Sequence, residues 1–171
     1  QSMMLSTQLA GRFFSPPALG SASMNQKIIP DVVNNQTVCT VKESDTARAA
    51  AEAMVRENIA AVIVTDDNSS LIGILTERDL ARQVVATGAD ASKILVGDIM
   101  TAHPDTLTPD DSAGDALELM HSRNYRHLPV AVDGRCVAMV SIRDLYRTMK
   151  AALEEDIRET EAFVFGDRYG A

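Results

Sequence analysis

The 171-residue sequence predicts an α/β fold, α+β in its arrangement, made of two tandem β-α-β-β-α repeats and a C-terminal helix. Three observations predict it. The chain repeats itself: Met54 and Met120 lie 66 residues apart, as do Asn58 and Asn124, while Asp79 and Asp144 lie 65 apart, the mark of a duplicated structural unit. Within each copy the apolar period switches between helical and strand-like in the same order. Each copy then ends on the same phrase, "GILTERDL" at 73–80 and "AMVSIRDL" at 138–145: an apolar run, a hydroxyl, two residues, then aspartate and leucine.

In the first copy a β-favouring run at Val38–Val41 leads into the polar cluster Glu43-Ser44-Asp45 and an Ala-rich helix over Thr46–Glu57. Strands follow at Ala60–Thr65 and Leu71–Thr76, joined by an Asp/Asn/Ser turn, and a second helix starts at Glu77. The second copy repeats this order: a run at Thr106–Thr108, a polar cluster at Pro109–Ser112, a helix over Ser112–Arg123, strands at His127–Val132 and Cys136–Ser141, and a helix from Ile142. The one-residue difference in spacing falls in the turn between the paired strands. A copy of about 55–60 residues makes a marginal core alone, so each is expected to supply the other's missing face. "KILVGDIM" at 93–100 is the connector. An acidic helix with Met149, Leu153, Ile157 and Val164 near helical spacing is expected to cover a core edge or a partner subunit. The expected divisions are a leader over 1–30, repeats over 31–92 and 93–150, and a C-terminal helix and tail over 151–171.

Composition narrows the function. A formal charge of −8 argues against bulk binding of nucleic acid or anionic membrane, because such affinity needs clustered Lys and Arg. Aromatics at 4% with no Trp leave few rings for stacking platforms, and no apolar run approaches the roughly 20 residues of a membrane span. The expectation is a soluble, intracellular protein, cytoplasmic unless its leader addresses it elsewhere. That leader is Ser-rich and acid-free from Met3 to Pro30 and carries "RFFS" at 12–15, features similar to a mitochondrial targeting segment; a loosely docked arm around Pro16-Pro17 and Gly20 reads equally well. Cys39 and Cys136 have no CxxC or Cys/His spacing and read as buried thiols of a reducing compartment. His103, His121 and His127 show no ligand spacing, so no metal site is expected.

Taken together, the repeat, the two closing phrases, "VGDIMT" at 96–101 and "RHLPV" at 126–130 resemble a CBS-domain pair, the Bateman module, over about residues 31–150. The chain is also similar to the stand-alone CBS-pair proteins of bacteria and plant organelles. The resemblance implies two repeats packed with pseudo-two-fold symmetry, with clefts between them for adenosine-containing ligands: AMP, ADP, ATP, NAD(H) or S-adenosylmethionine. It implies no catalytic activity and no required cofactor, a regulatory role that signals to an unknown protein partner, and a homodimer. The alternative is a ligand-insensitive dimeric adaptor regulating a metabolic or redox partner such as thioredoxin. By the family's pattern, Thr76 with Asp79 and Ser141 with Asp144 meet ribose and phosphate, and Arg126 and His127 meet phosphate. By repeat equivalence and family geometry, Thr40, Ile59, Thr106 and Tyr125 line the adenine.

The residues themselves offer a second account of the closing phrases. A hydroxyl followed three residues later by an acid is a capping box, worth about 1 kcal/mol at a helix start. Arg78 and Arg143, each just before the Asp, oppose the helix dipole there. A cation and a helix N-terminus that point the same way suit an anion instead. The two roles are compatible, with the hydroxyl capping the empty helix and turning to a ligand when one binds. Gly73 would let backbone approach closely, whereas its counterpart Ala138 departs from the family pattern; Ala60-Ala61 stand where the second copy has Arg126-His127. The two sites are therefore expected to be unequal. His127 is expected to titrate near neutrality. No nucleophile elbow, phosphate loop or metal spacing supports catalysis.

Overall fold

The computed structural model describes residues 21–166; the leader up to residue 20 and the side chain of Val164 lie outside the described residues. A one-turn helix α1 (Ser21–Met24) and a turn at Ile28–Val32 precede β1 (Thr40–Lys42), α2 (Ala47–Glu57), β2 (Ala61–Thr65), β3 (Leu71–Thr76) and α3 (Glu77–Leu80). A wider helical turn, Ala81–Val85, continues α3. The connector forms α4 (Val96–Ile99) and β4 (Thr101–Ala102), and the second half consists of α5 (Ala113–Arg123), β5 (His127–Val132), β6 (Arg135–Ser141) and the long α6 (Ile142–Gly166). One sheet runs in the order β1-β2-β3-β4 and the other is the pair β5-β6. The mixed α/β architecture and the repeat are those the sequence predicts.

Local chemistry sets the helix limits. Thr46 and Ser112 stand just outside α2 and α5, where their hydroxyls accept from the N–H groups of Ala49 and Asp115, satisfying donors a helix start leaves free. Asn58 and Asn124 close the same helices in the left-handed conformation, at φ 53° and 57°, which Asn tolerates better than branched residues. That is why Asn recurs at this spacing. The hairpins differ: Asp133-Gly134, both at positive φ, make a two-residue turn, while β2 and β3 are joined through residues 66–70.

One expected strand does not form. Where β1 pairs in parallel with β2 from Thr40 to Lys42, the run Thr106–Thr108 contributes only Leu107, which bridges Val130 in parallel fashion. Pro104 and Pro109 flank it and carry no N–H to extend a ladder.

Each half's core is completed by a segment that precedes a repeat. Val96 and Ile99 of the connector are buried with Val41, Ala50, Met54, Val62, Val64 and Leu75 of the first half. Ile28, Val32 and Val33, 80 residues or more before α5, are buried with Leu107, Ala116, Met120, Leu128, Val140 and Leu145 of the second. The anchoring hydrogen bonds match in kind. Ala47 N–H donates to Ile94 and Val96 N–H to Asp45, both at 2.8 Å; Ala113 N–H donates to Gln26 and Ile28 N–H to Asp111, also at 2.8 Å. A third apolar cluster joins the halves: Ala61, Ile63 and Ile74 of the first sheet meet Cys136 and Met139 of β6. β2 is accordingly buried along its whole length, with Val62 and Val64 in the first core and Ala61 and Ile63 at the junction.

Candidate functional site

Both closing phrases fold as helix starts. Thr76 N–H and hydroxyl donate to Asp79 Oδ2 at 2.9 and 2.6 Å, and Asp79 N–H donates back to Thr76 Oγ1 at 3.3 Å. Ser141 and Asp144 repeat this at 2.8, 2.6 and 3.3 Å. Ser112 and Asp115 at the start of α5 make the same box at 2.9, 2.7 and 3.1 Å, and there the hydroxyl and N–H of Ser112 hold the Asp115 carboxyl below its usual range. The box alone is therefore a cap. What separates Thr76–Asp79 and Ser141–Asp144 from Ser112–Asp115 is where the two helix starts face.

They face two clefts between the halves. After Asn58 the chain reverses, with Ile59 N–H on Met54 O at 2.9 Å; after Asn124 it does the same, with Tyr125 N–H on Met120 O at 2.9 Å. Each reversal is tied to its own closing motif, through Glu77 N–H on Ala60 O at 3.0 Å and Ile142 N–H on Arg126 O at 2.9 Å. A cleft of about 330 Å³ has Thr76, Arg78, Asp79 and Arg82 of the first half facing Tyr125, Arg126 and His127 of the second. A cleft of about 740 Å³ has Ser141, Arg143 and Asp144 facing Ile59, Ala60 and Ala61. Both volumes are in the range of small-ligand sites. Ala60, Glu77, Arg126 and His127 line both, so the two clefts share a wall.

The fold thus gathers Thr76, Arg78, Asp79, Tyr125, Arg126 and His127 in the first cleft, and Ser141, Arg143, Asp144, Ile59, Arg126 and His127 in the second. It does not bring Thr40 or Thr106 into either. Thr40 begins the edge strand β1 and is exposed, as is Thr106; the corresponding walls come from Gln36–Cys39 and from Pro104 and Asp105, just upstream. Arg82 and Arg123 of the first cleft, and Met54 and Met139 of the second, were not read as site residues from the sequence. The available signal for Arg82 was its place three residues after Asp79, one helical turn on. Gly73 admits the connector: a side chain there would meet Met100, with Met100 Cγ at 3.2 Å and Thr101 O at 3.1 Å. β4 pairs with β3 at that point, Gly73 opposite Ala102.

Charge is distributed unequally. Arg78 reaches across the junction to Asn124 O at 3.4 Å, and Arg123 lies 3.7 Å from Asp105. The Arg82 guanidinium and Asp79 Oδ1 have no protein partner among the described residues, whereas Asp144 Oδ1, the equivalent atom, is held by Arg147. Burial pushes His127 below its ordinary value of 6.5, against the pull of Asp144 and Glu77 and with Arg126 and Arg143 adding to the depression. Burial also raises both thiols, Cys136 to about 11, so Cys136 stays protonated near neutrality. No cluster of three metal-ligating side chains occurs among the described residues, and none of their helices is long and apolar enough to cross a membrane.

Comparison with known proteins agrees with this geometry. The CBS domain family model matches residues 25–86 and 96–151, one match to each half. The chain is 33% identical over 132 residues to CBSX3, a mitochondrial CBS domain-containing protein of Arabidopsis thaliana, a match covering 75% of this chain and 63% of that one. A second Arabidopsis relative, CBSCBSPB2, is 34% identical over 120 residues, 68% of this chain and 22% of its own length. The chain therefore spans less than two thirds of the length of these curated relatives. Among solved structures, a CBS-domain protein from Burkholderia ambifaria is 35% identical, with a TM-score of 0.64 over 67% of this chain and 84% of its own. The CBS domain pair of protein MJ0100, solved in complex with 5′-methylthioadenosine and S-adenosyl-L-methionine, is 24% identical, covers 71% of this chain and 94% of its own with a TM-score of 0.64, and shows the shared fold. With two matched repeats, two equivalent closing motifs and a cleft at each, the chain belongs to the CBS-domain family as a tandem pair.

Proposed function

We propose that the protein is an adenine-nucleotide sensor, binding AMP, ADP, ATP or NAD(H) between its halves and presenting a different surface to a partner when loaded. The observation that carries this is one cleft in which Thr76 and Asp79 from one half oppose Arg126 and His127 from the other, with Arg78 and Arg82 beside them. A carboxylate oxygen without a protein partner suits a ribose diol, and converging guanidinium groups suit phosphate. The first cleft is the phosphate site in this reading. Arg78, Arg82 and Arg123 line the first cleft and not the second, while the second adds only Arg143 to the shared wall and has its ribose acceptor occupied by Arg147. A ligand that touches both halves shifts their arrangement only by its differential affinity for the two arrangements. Homodimeric association belongs to the same reading.

Calorimetric titration of AMP, ADP, ATP and NADH into the purified chain tests it. Heat and a rise in melting temperature are expected with at least one of them. The absence of both responses at millimolar ligand would sink the sensor and leave a ligand-insensitive adaptor.

A further inference from the structure

We infer that the two clefts compete for one cation: a nucleotide phosphate in the first takes Arg126 from the second, which is then a site for a nucleoside without phosphate. The inference rests on the sensor reading above and adds a rule of occupancy to it. It starts from an asymmetry in the duplication. Arg126-His127 follow one Asn-capped reversal, and Ala60-Ala61 stand at the equivalent place after the other. The second cleft therefore receives no cation from the reversal that faces Ser141 and Asp144, and it meets Arg126 and His127 only at the wall that both clefts share.

That wall serves one phosphate chain and not two. Arg126 brings one positive charge to it, Glu77 brings one negative charge, and His127, kept neutral near neutrality by burial, adds no standing charge. A second phosphate chain arriving beside the first meets like charge with no unspent cation between them. The first cleft has Arg78 and Arg82 besides and wins that contest, whereas the second has only Arg143. What the second cleft keeps suits the uncharged part of a nucleotide. It is the larger, at about 740 Å³, and Val38, Met54, Val55, Ile59, Met139 and Ile142 give it an apolar wall for a base. Arg147, 73% exposed, holds Asp144 Oδ1 in a surface pair weak enough to yield to a ribose diol.

Release of radiolabelled ADP from the full chain tests this. After dilution into millimolar unlabelled ADP, release should be about tenfold faster than after dilution into buffer, because each nucleotide weakens the other. Millimolar adenosine should leave the rate as it is in buffer. By calorimetry, one ADP should bind tightly per chain, and the loaded chain should then take adenosine more tightly than a second ADP. Ala60→Arg gives the second cleft a guanidinium of its own, so two ADP should bind per chain and the acceleration should vanish. A release rate indifferent to unlabelled ADP makes the clefts independent and overturns the inference while the sensor stands. Acceleration by adenosine and ADP alike, or acceleration undiminished in Ala60→Arg with an unchanged melt, overturns the shared cation as its cause. A parent that binds no ADP removes the sensor and this inference with it.

Discussion

The two clefts start from the same local chemistry and end with different electrostatics. Each has a hydroxyl and an Asp at a helix start, an Arg between them and an Asn-capped reversal from the other half. The differences lie in what faces that constellation. Opposite Asp79 stand Tyr125, Arg126 and His127; opposite Asp144 stand Ile59, Ala60 and Ala61. One helical turn past each Asp is an arginine, Arg82 or Arg147, but only Arg147 closes on its carboxylate. Duplication copies a cap without difficulty because the cap is local. A binding site drawn half from each copy can diverge at either end while both helices stay intact.

The comparison can be broken most forcefully at the shared wall. Arg126→Ala removes a guanidinium from both clefts, and losing a charged hydrogen bond of about 1.5–3 kcal/mol should weaken ADP about 10- to 100-fold by calorimetry. A variant that binds ADP as tightly as the parent would dismiss the wall. Next in size is Gly73→Ala. The added methyl has to displace Met100 or the β4 backbone and should cost about 1–3 kcal/mol in a chemical or thermal melt, whereas Ala138, at the equivalent place in β6, already carries that methyl.

A sharper contrast comes from the three caps. Asp79→Ala, Asp144→Ala and Asp115→Ala should each lower stability by about 1 kcal/mol. ADP affinity should fall about tenfold for Asp79, only a few-fold for Asp144, whose Oδ1 Arg147 already holds, and not at all for Asp115. Equal losses at Asp79 and Asp144 would make the clefts equivalent. The smallest effect is the pH dependence of His127. Its folded pKa lies below 6.5, so as pH falls through 6.5 towards that lower value the unfolded chain binds more protons and stability is lost. Phosphate beside His127 favours the imidazolium, so ADP affinity should rise a few-fold over the same fall in pH relative to His127→Gln, which carries the ligand's own titration as background. Parallel pH profiles for parent and variant would remove His127 from the phosphate site.

Much of the fold was legible because its signals are short-range. Thr46, Ser112, Asn58 and Asn124 bound the helices where hydroxyl and left-handed caps require, and the strands Leu71–Thr76 and His127–Val132 coincide with their apolar runs. The site was legible in part. The reversals put Ile59 and Tyr125 in the clefts as repeat equivalence suggests, but the structure leaves Thr40 and Thr106 outside both, Thr40 exposed on the edge strand β1 and Thr106 exposed in a run that forms no strand. Arg82 was missed because a helical arginine reads as solvated surface until something faces it. Val32 and Val33 gave no hint of completing the second half's core, since nothing local marks an apolar pair for a partner so far along the chain.

The sequence by itself determined the duplication, the helices and paired strands of each copy, the caps and the inequality of the two copies, because periodicity, capping and residue identity act within a few positions of one another. Only the tertiary structure decided that Asp79 looks across at Arg126, that Arg147 closes on Asp144 while Arg82 stays open, and that one wall serves both clefts. Those meetings depend on how Ala61, Ile63 and Ile74 seat against Cys136 and Met139. Apolar packing of that kind fixes the distance between two halves without prescribing, in any local pattern, which polar residues it will bring face to face.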